Sequence, residues 1–191
     1  MDHRVKNHLQ LIPSYARSLA REPGETAAHV AHEIATRLSM VAAIHDVLHM
    51  NRASDCVEAR SFLTRVCQSL ADGQHRIDVV CDEDLTLSAE ELAPVGMILV
   101  EAVCNCLKHG FPQGRAGAVA VAFRRQDGER ILEIFDDGVG FDPTASPGGG
   151  SGLRLMQAFA KRLRGDFAIS RNRAFGATVK LILPMPLAGA D

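Results

Sequence analysis

"GAVAVAFRRQDGERILEIFDDGVG", residues 117–140, reads as two strands joined at Asp127-Gly128. An Asp-Gly pair between two apolar runs is a hairpin signal, because both residues tolerate a positive φ. Outward from this hairpin, the pattern predicts a helix near Arg60 to Ala71, a strand "RIDVVC" (76–81) and a long helix from about Ala89 to His109. Downstream, a glycine-rich stretch feeds a helix over about Ser151 to Leu163, and "DFAIS" and "GATVKLILP" close the chain around an "NRAFG" turn. Strands and helices mix without strict βαβ alternation, so this part is α+β and not doubly wound.

The N-terminal part is of another kind. Val5, Leu9, Ile12, Ala16 and Leu19 follow a four-three spacing, the seam of a helix that packs on helices, with Pro13 expected to kink it. "REPGET" (21–26) breaks the run, and a second helix follows to about Asn51, with Ile34, Val41 and Leu48 seven apart. The prediction is an antiparallel helical hairpin over residues 1–54 and an α+β domain over 55–191. A lone hairpin exposes its seam, so dimerisation through residues 2–51 into a four-helix bundle is expected.

Composition narrows the class. The 191 residues are 47% hydrophobic and 23% charged with a net charge of −2, which suits a soluble globular protein and argues against nucleic acid or an anionic membrane as main partner. No apolar run reaches the roughly 20 residues of a membrane span, and no signal peptide is recognisable. The five cysteines show neither CxxC spacing nor an even framework, and read as reduced thiols of a cytoplasmic protein. His29/His32 and His45/His49 have metal-like helical spacing without a clustered third ligand, and are read as ordinary helix residues.

Three boxes carry chemistry. In "EAVCNCLKHG" (101–110), Glu101, Asn105 and Lys108 fall four and three apart with His109 alongside, so carboxylate, amide and ammonium are predicted on one helix face. An amide oxygen is a hard ligand suited to Mg²⁺, and a lysine one turn on suits phosphate. In "DDGVGFDP" (136–143), glycines at alternate positions permit close approach to a ligand, and an acid at a strand end can accept from an amine-bearing ring. "GGGSGLRLM" (148–156) is a flexible run whose following helix start can hold an anion. It is neither a Walker loop nor a Rossmann turn.

Together the boxes resemble the ATP-binding domain of sensor histidine kinases in the GHKL superfamily, an α/β sandwich. "EAVCNCLKHGFP" is similar to the N box, "DDGVG" to the D-x-G-x-G box, "GSGLRLM" to the second glycine box and "GATVKLILP" to the closing strand, covering 57–185. The resemblance implies ATP and Mg²⁺ as cofactors. Asn105 would hold Mg²⁺, Asp136 the adenine amino group and Lys108 phosphate, with His109 also at the nucleotide. Gly138, Gly140, Gly150 and Gly152, with Leu153, would shape the pocket and lid, Thr178 would line the adenine side, and Glu101 would be the base or metal-positioning acid. Ser151 stands where relatives often carry leucine.

"HRVKNHLQLI" (3–12) then resembles the phosphoacceptor box H-R-x-x-N of one histidine-kinase dimerisation subgroup, and "RLSMVAAIHDVLHM" (37–50) its second helix. The His-Trp-Glu subgroup is disfavoured because the chain has no tryptophan. By this match His3 is the acceptor. Geometry agrees: His3 lies two residues from Val5, roughly 200° round the helix, and so faces away from the seam. Arg4 would orient the ring or the incoming phosphoryl group, and Asn7 a water for dephosphorylation. "HEIATRL" (32–38) imitates another acceptor box, but only about twenty helical residues follow His32, too few for a second hairpin helix.

The expected activity is autophosphorylation on His3 and transfer to an aspartate of a response-regulator receiver domain. Two alternatives share part of the pattern: an anti-sigma-type serine kinase, whose N box is also similar but which lacks the hairpin, and a histidine phosphotransfer protein, whose ATP boxes would be eroded. His3 stands nearer the chain start than in relatives, which suggests either a trimmed piece of a longer protein or a signal delivered by a separate sensor.

Overall fold

The computed structural model describes residues 31, 35, 56–140, 151–171 and 176–186. Apart from Ala31 and Ala35, both helical and exposed, the predicted hairpin helices, with His3, Arg4 and Asn7, lie outside the described residues, as do Gly150 and the "NRAFG" turn up to its glycine.

The described fold is a sheet with helices on one face. Five strands run in the order β2 (Arg76–Cys81), β4 (Ala118–Gln126), β5 (Glu129–Asp136), β7 (Ala177–Pro184) and β6 (Asp166–Arg171). The β2–β4 pair is parallel and the others are antiparallel, which makes the sheet mixed, as α+β patterning predicts. The hairpin at its centre turns where expected: Asp127 has φ 52° and Gly128 φ 80°, two left-handed residues in a two-residue loop. A second small sheet pairs β1 (Cys56–Glu58) with β3 (Thr86–Ser88). Three residues each are too short for alternation to show, and neither strand is legible in the sequence.

Register puts one row of side chains under the helices. Val119, Val121 and Phe123 of β4 stand opposite Asp136, Ile134 and Leu132 of β5, and Val179 and Leu181 of β7 oppose Ile134 and Leu132. Most of these side chains are fully buried. Over them lie α1 (Ala59–Ser69), α2 (Ala89–Asn105) and α3 (Ser151–Arg162), with α2 packed against both others. Because it sits between the sheet and two helices, α2 buries every residue from Leu92 to Val103, so no polar stripe marks it as amphipathic. Its start is fixed by Ser88, whose backbone N–H donates to Glu91 Oε2 at 2.9 Å, half of a capping box. Pro94 inside the helix forfeits one backbone bond without ending it. None of the described helices is long and apolar enough to cross a membrane.

Candidate functional site

The far end of α2 does not finish as an α-helix. Residues Cys106–Gly110 continue it as a π-helical turn. Wider i→i+5 bonding slips the following residues round the axis, and such turns gather at functional sites. The face predicted for Glu101, Asn105 and Lys108 is split by this turn. Asn105 and His109 line a cavity of about 370 Å³, whereas Lys108 is exposed and not part of its lining. That volume is within the small-molecule range.

Beneath the cavity, β5 ends in Asp136, which is 1% exposed. Its Oδ1 accepts from the Gly138 N–H at 2.9 Å and its Oδ2 from the Ala177 N–H at 3.2 Å. A buried carboxylate demands such donors, since its desolvation is otherwise uncompensated. The chain then folds back on the π turn, with the Val139 N–H donating to the Gly110 carbonyl at 2.9 Å. A Cβ on Gly138 would lie 2.3 Å from that same carbonyl oxygen, so only glycine permits this approach. Gly140, at φ 74°, is on the cavity wall.

Helix α3 covers the other side. A Cβ on Gly152 would stand 2.7 Å from Glu101 Oε2 and 3.9 Å from Asn105 Nδ2, so the first turn of α3 rests directly on both side chains. The Glu101 side chain is buried, and a carboxylate at a helix N-terminus is favoured by the helix dipole. Gly152 and Leu153 both line the cavity.

The fourth wall comes from strands β6 and β7, through Ile169, Ala177 and Val179. Successive strand residues point to opposite faces, so with 177 and 179 on the cavity side, Thr178 faces away from it. Thr178 is not among the residues that line the cavity, and it is the Ala177 backbone N–H that reaches Asp136. The alternation of "GATVKLILP" carried that signal, because Val179, Leu181 and Leu183 form the buried set. Cys106 is a second lining residue the motifs did not single out, although it directly follows the N-box asparagine.

Two groups here titrate away from their ordinary values. Burial lowers the His109 imidazole, and the neighbouring Lys108 charge adds to this, so the ring is neutral near pH 7. Burial first, then the charge and hydrogen bond of Asp136, push the Cys106 thiol upward, and it stays protonated.

Comparison with known proteins agrees with this geometry. Residues 57–183 match the family described as histidine kinase-like ATPase domain, and residues 1–74 match one described as histidine kinase. The blue-light-activated histidine kinase 2 of Erythrobacter litoralis is 24% identical over 195 residues, spanning 97% of this chain and 56% of that protein. The sensor histidine kinase PdtaS of Mycobacterium tuberculosis is 26% identical over 193 residues, 96% of this chain and 38% of that protein. The chain thus spans little more than half of the first of these relatives and less of the second. Among solved structures, the blue-light activated histidine kinase EL346 of Erythrobacter litoralis superposes with a TM-score of 0.74 at 20% identity, over 96% of this chain and 57% of that one, a likeness of fold. The chain belongs to the histidine kinases and carries their GHKL-type, histidine kinase-like ATPase domain over residues 57–183.

Proposed function

We propose that this protein is a two-component histidine kinase that takes the γ-phosphoryl group of ATP onto His3 and passes it to an aspartate of a response-regulator receiver domain. The observation that carries the ATP reading is the cavity itself. A buried carboxylate held by two backbone N–H donors, a half-buried asparagine and the first turn of a helix converge on one space of nucleotide-binding size. Asp136 would accept the exocyclic amine of adenine, with the Ala177 backbone beside it. The α3 N-terminus, shaped by Gly150 and Gly152, would face the phosphates, and Lys108 and His109 would meet them from the π turn. Leu153, Gly138 and Gly140 would bound the base.

The donor set suits Mg²⁺, since the Asn105 amide oxygen is a hard ligand and the buried Glu101 carboxylate adjoins it. When bound, Mg²⁺ would neutralise charge on the transferring phosphoryl group. Glu101 would orient the amide or accept a proton. Phosphoryl transfer asks mainly for alignment: a ring nitrogen of His3 bonds phosphorus as the bond to the β-phosphate oxygen breaks, ADP departs with that electron pair, and the ring N–H proton passes to solvent. Arg4 would steady the phosphoryl oxygens, and Asn7 would position a water for dephosphorylation.

We assign residues 1–54 to a phosphoacceptor hairpin that dimerises through 2–51, and residues 55–191 to the ATP-binding domain; the pairing of Cys56 with Ser88 supports a start there. Input would come from a sensor unit, in this chain's own protein or a separate one. Incubation with γ-labelled ATP and Mg²⁺ tests the reading. Label that is acid-labile, alkali-stable and absent from His3→Gln is the expected result. Acid-stable label on a partner serine, or label that survives His3→Gln, would overturn it.

A further inference from the structure

The strand wall of the cavity is apolar except at one corner. Ile169 of β6 pairs with Val179 of β7, and Arg171 of β6 pairs with Ala177 of β7. Residues paired across two strands share a face of the sheet, as do residues two apart along one strand. Ile169, Val179 and Ala177 all line the cavity, so Arg171, the fourth corner of this block, stands on the cavity side of the sheet. Gly140, also on the cavity wall, places its side chain: a Cβ on that glycine would stand 3.3 Å from Arg171 Nε. Arg171 is exposed, and among the described residues none holds it in a hydrogen bond or ion pair. None of the roles assigned above uses it.

We propose that Arg171 is a base-binding residue: its guanidinium lies against the face of the purine whose exocyclic amine Asp136 would accept. The role rests on the ATP reading above. Place decides for the base over the phosphates. Arg171 adjoins Gly140 and Ala177, and the Ala177 N–H donates to Asp136 Oδ2 at 3.2 Å, so the cation sits at the end assigned to the base. The groups assigned to phosphate, Lys108 and His109 of the π turn and the first turn of α3, come from the helix side. Chemistry agrees with place. A guanidinium is planar, weakly hydrated and attracted to the face of an aromatic ring, so it can extend an apolar wall to a rim that water reaches. With no protein acceptor engaged among the described residues, its plane can turn to the ring.

The test compares the full chain as wild type, Arg171→Ala and Arg171→Lys, with ATP followed by titration calorimetry and adenosine by NMR titration. Arg171→Ala should weaken both ligands by the same factor, about three- to tenfold, the range for a cation over a ring that keeps some water. Arg171→Lys keeps the charge without the plane and should recover little of the loss. A phosphate contact would weaken ATP and spare adenosine. Full recovery in Arg171→Lys would show charge acting alone. Either result overturns the proposal, as does unchanged affinity in Arg171→Ala.

The ring current of the base reads the contact directly. The δ-methylene protons of Arg171 should move upfield when adenosine binds to wild type, a shift that a merely structural role would not produce. Wild type that binds neither ligand would overturn the ATP reading and this role with it. Wild type that binds both while the Arg171 protons stay in place overturns this role alone.

Discussion

Strand β5 carries a buried charge near each end, and the two are treated in opposite ways. Arg130, near its start, is 2% exposed and fully engaged: it donates to Glu91 Oε1 at 2.5 Å, to Glu91 Oε2 at 3.2 Å, to the Thr86 carbonyl at 3.0 Å and to the Pro184 carbonyl at 2.8 Å. Asp136, six residues on and on the same face, is as deeply buried, yet no Lys or Arg pairs with it among the described residues. The first arrangement closes on itself and ties the start of α2 to the sheet. The second leaves acceptor capacity turned toward a cavity. A buried polar group is either satisfied internally or reserved for a ligand, and this strand holds one of each.

The largest effect should come from breaking the closed end. Arg130→Met leaves Glu91 partly buried without its cation, and the expected loss is about 3 kcal/mol, the low end for a broken buried pair because Glu91 keeps some solvent contact. Urea denaturation measures it, and nucleotide affinity of the folded protein should not change. Adding Glu91→Leu should recover most of the loss, since two apolar groups need no pairing. Acid sharpens the result. Burial alone would raise Glu91, but hydrogen bonds from Arg130 and the Ser88 backbone, with the Arg130 charge, bring it below 4.5. The stability it contributes is therefore present above about pH 4.5 and is lost as pH falls through the folded value. The double variant should lack that acid limb. A single variant as stable as wild type would refute the contrast.

At the open end the order reverses. Asp136→Asn keeps shape but replaces one acceptor oxygen by a donor, and ATP affinity should fall about 10- to 100-fold, the cost of a charge-assisted hydrogen bond. Thermal stability should fall less than in Arg130→Met, because one backbone N–H bond is lost but no ion pair is broken. Calorimetric titration beside a melting curve separates the two quantities. If stability dropped as in Arg130→Met while ATP still bound, Asp136 would be structural and the contrast would fail.

The closed end and the open end were also unequally legible in the sequence. The boxes around Asp136 are visible because a ligand fixes residue type at fixed spacing, and the Asp127-Gly128 turn, the strands and α3 follow from local pattern. Arg130 is not legible as a core residue, since its partners Glu91, Thr86 and Pro184 are 39 to 54 positions away and only the folded register unites them. The π turn is illegible for a related reason. Spacing arguments assume 3.6 residues per turn, which joins Lys108 to the face of Glu101 and Asn105 and misplaces it once the helix widens at Cys106. Strand alternation places Ala177, and not Thr178, on the cavity wall.

The smallest effect, and the finest test, concerns His109 on the cavity wall. Partial burial and the Lys108 charge lower its pKa below 6.5, which is the reverse of what a carboxylate partner would do. As pH falls from about 6.5, the unfolded chain takes up a proton that the folded imidazole resists until its own lower value. The stability His109 contributes is therefore fully present above about 6.5 and declines below it. His109→Asn, with no such proton to bind, should flatten that part of the stability curve and leave the region above pH 7 as it was. Glu91 acts only below about 4.5, so the two windows do not overlap. Urea titrations across pH 7 to 5 should find the cavity end responding first, and hydrogen exchange should place the loosening at residues 106–110 and not at the start of α2. Bound ATP should oppose it, because phosphate charge near the ring favours the imidazolium and raises its pKa. A stability slope unchanged by His109→Asn would mean that the ring titrates as it does in water, and that the cavity wall is wetter than its packing suggests.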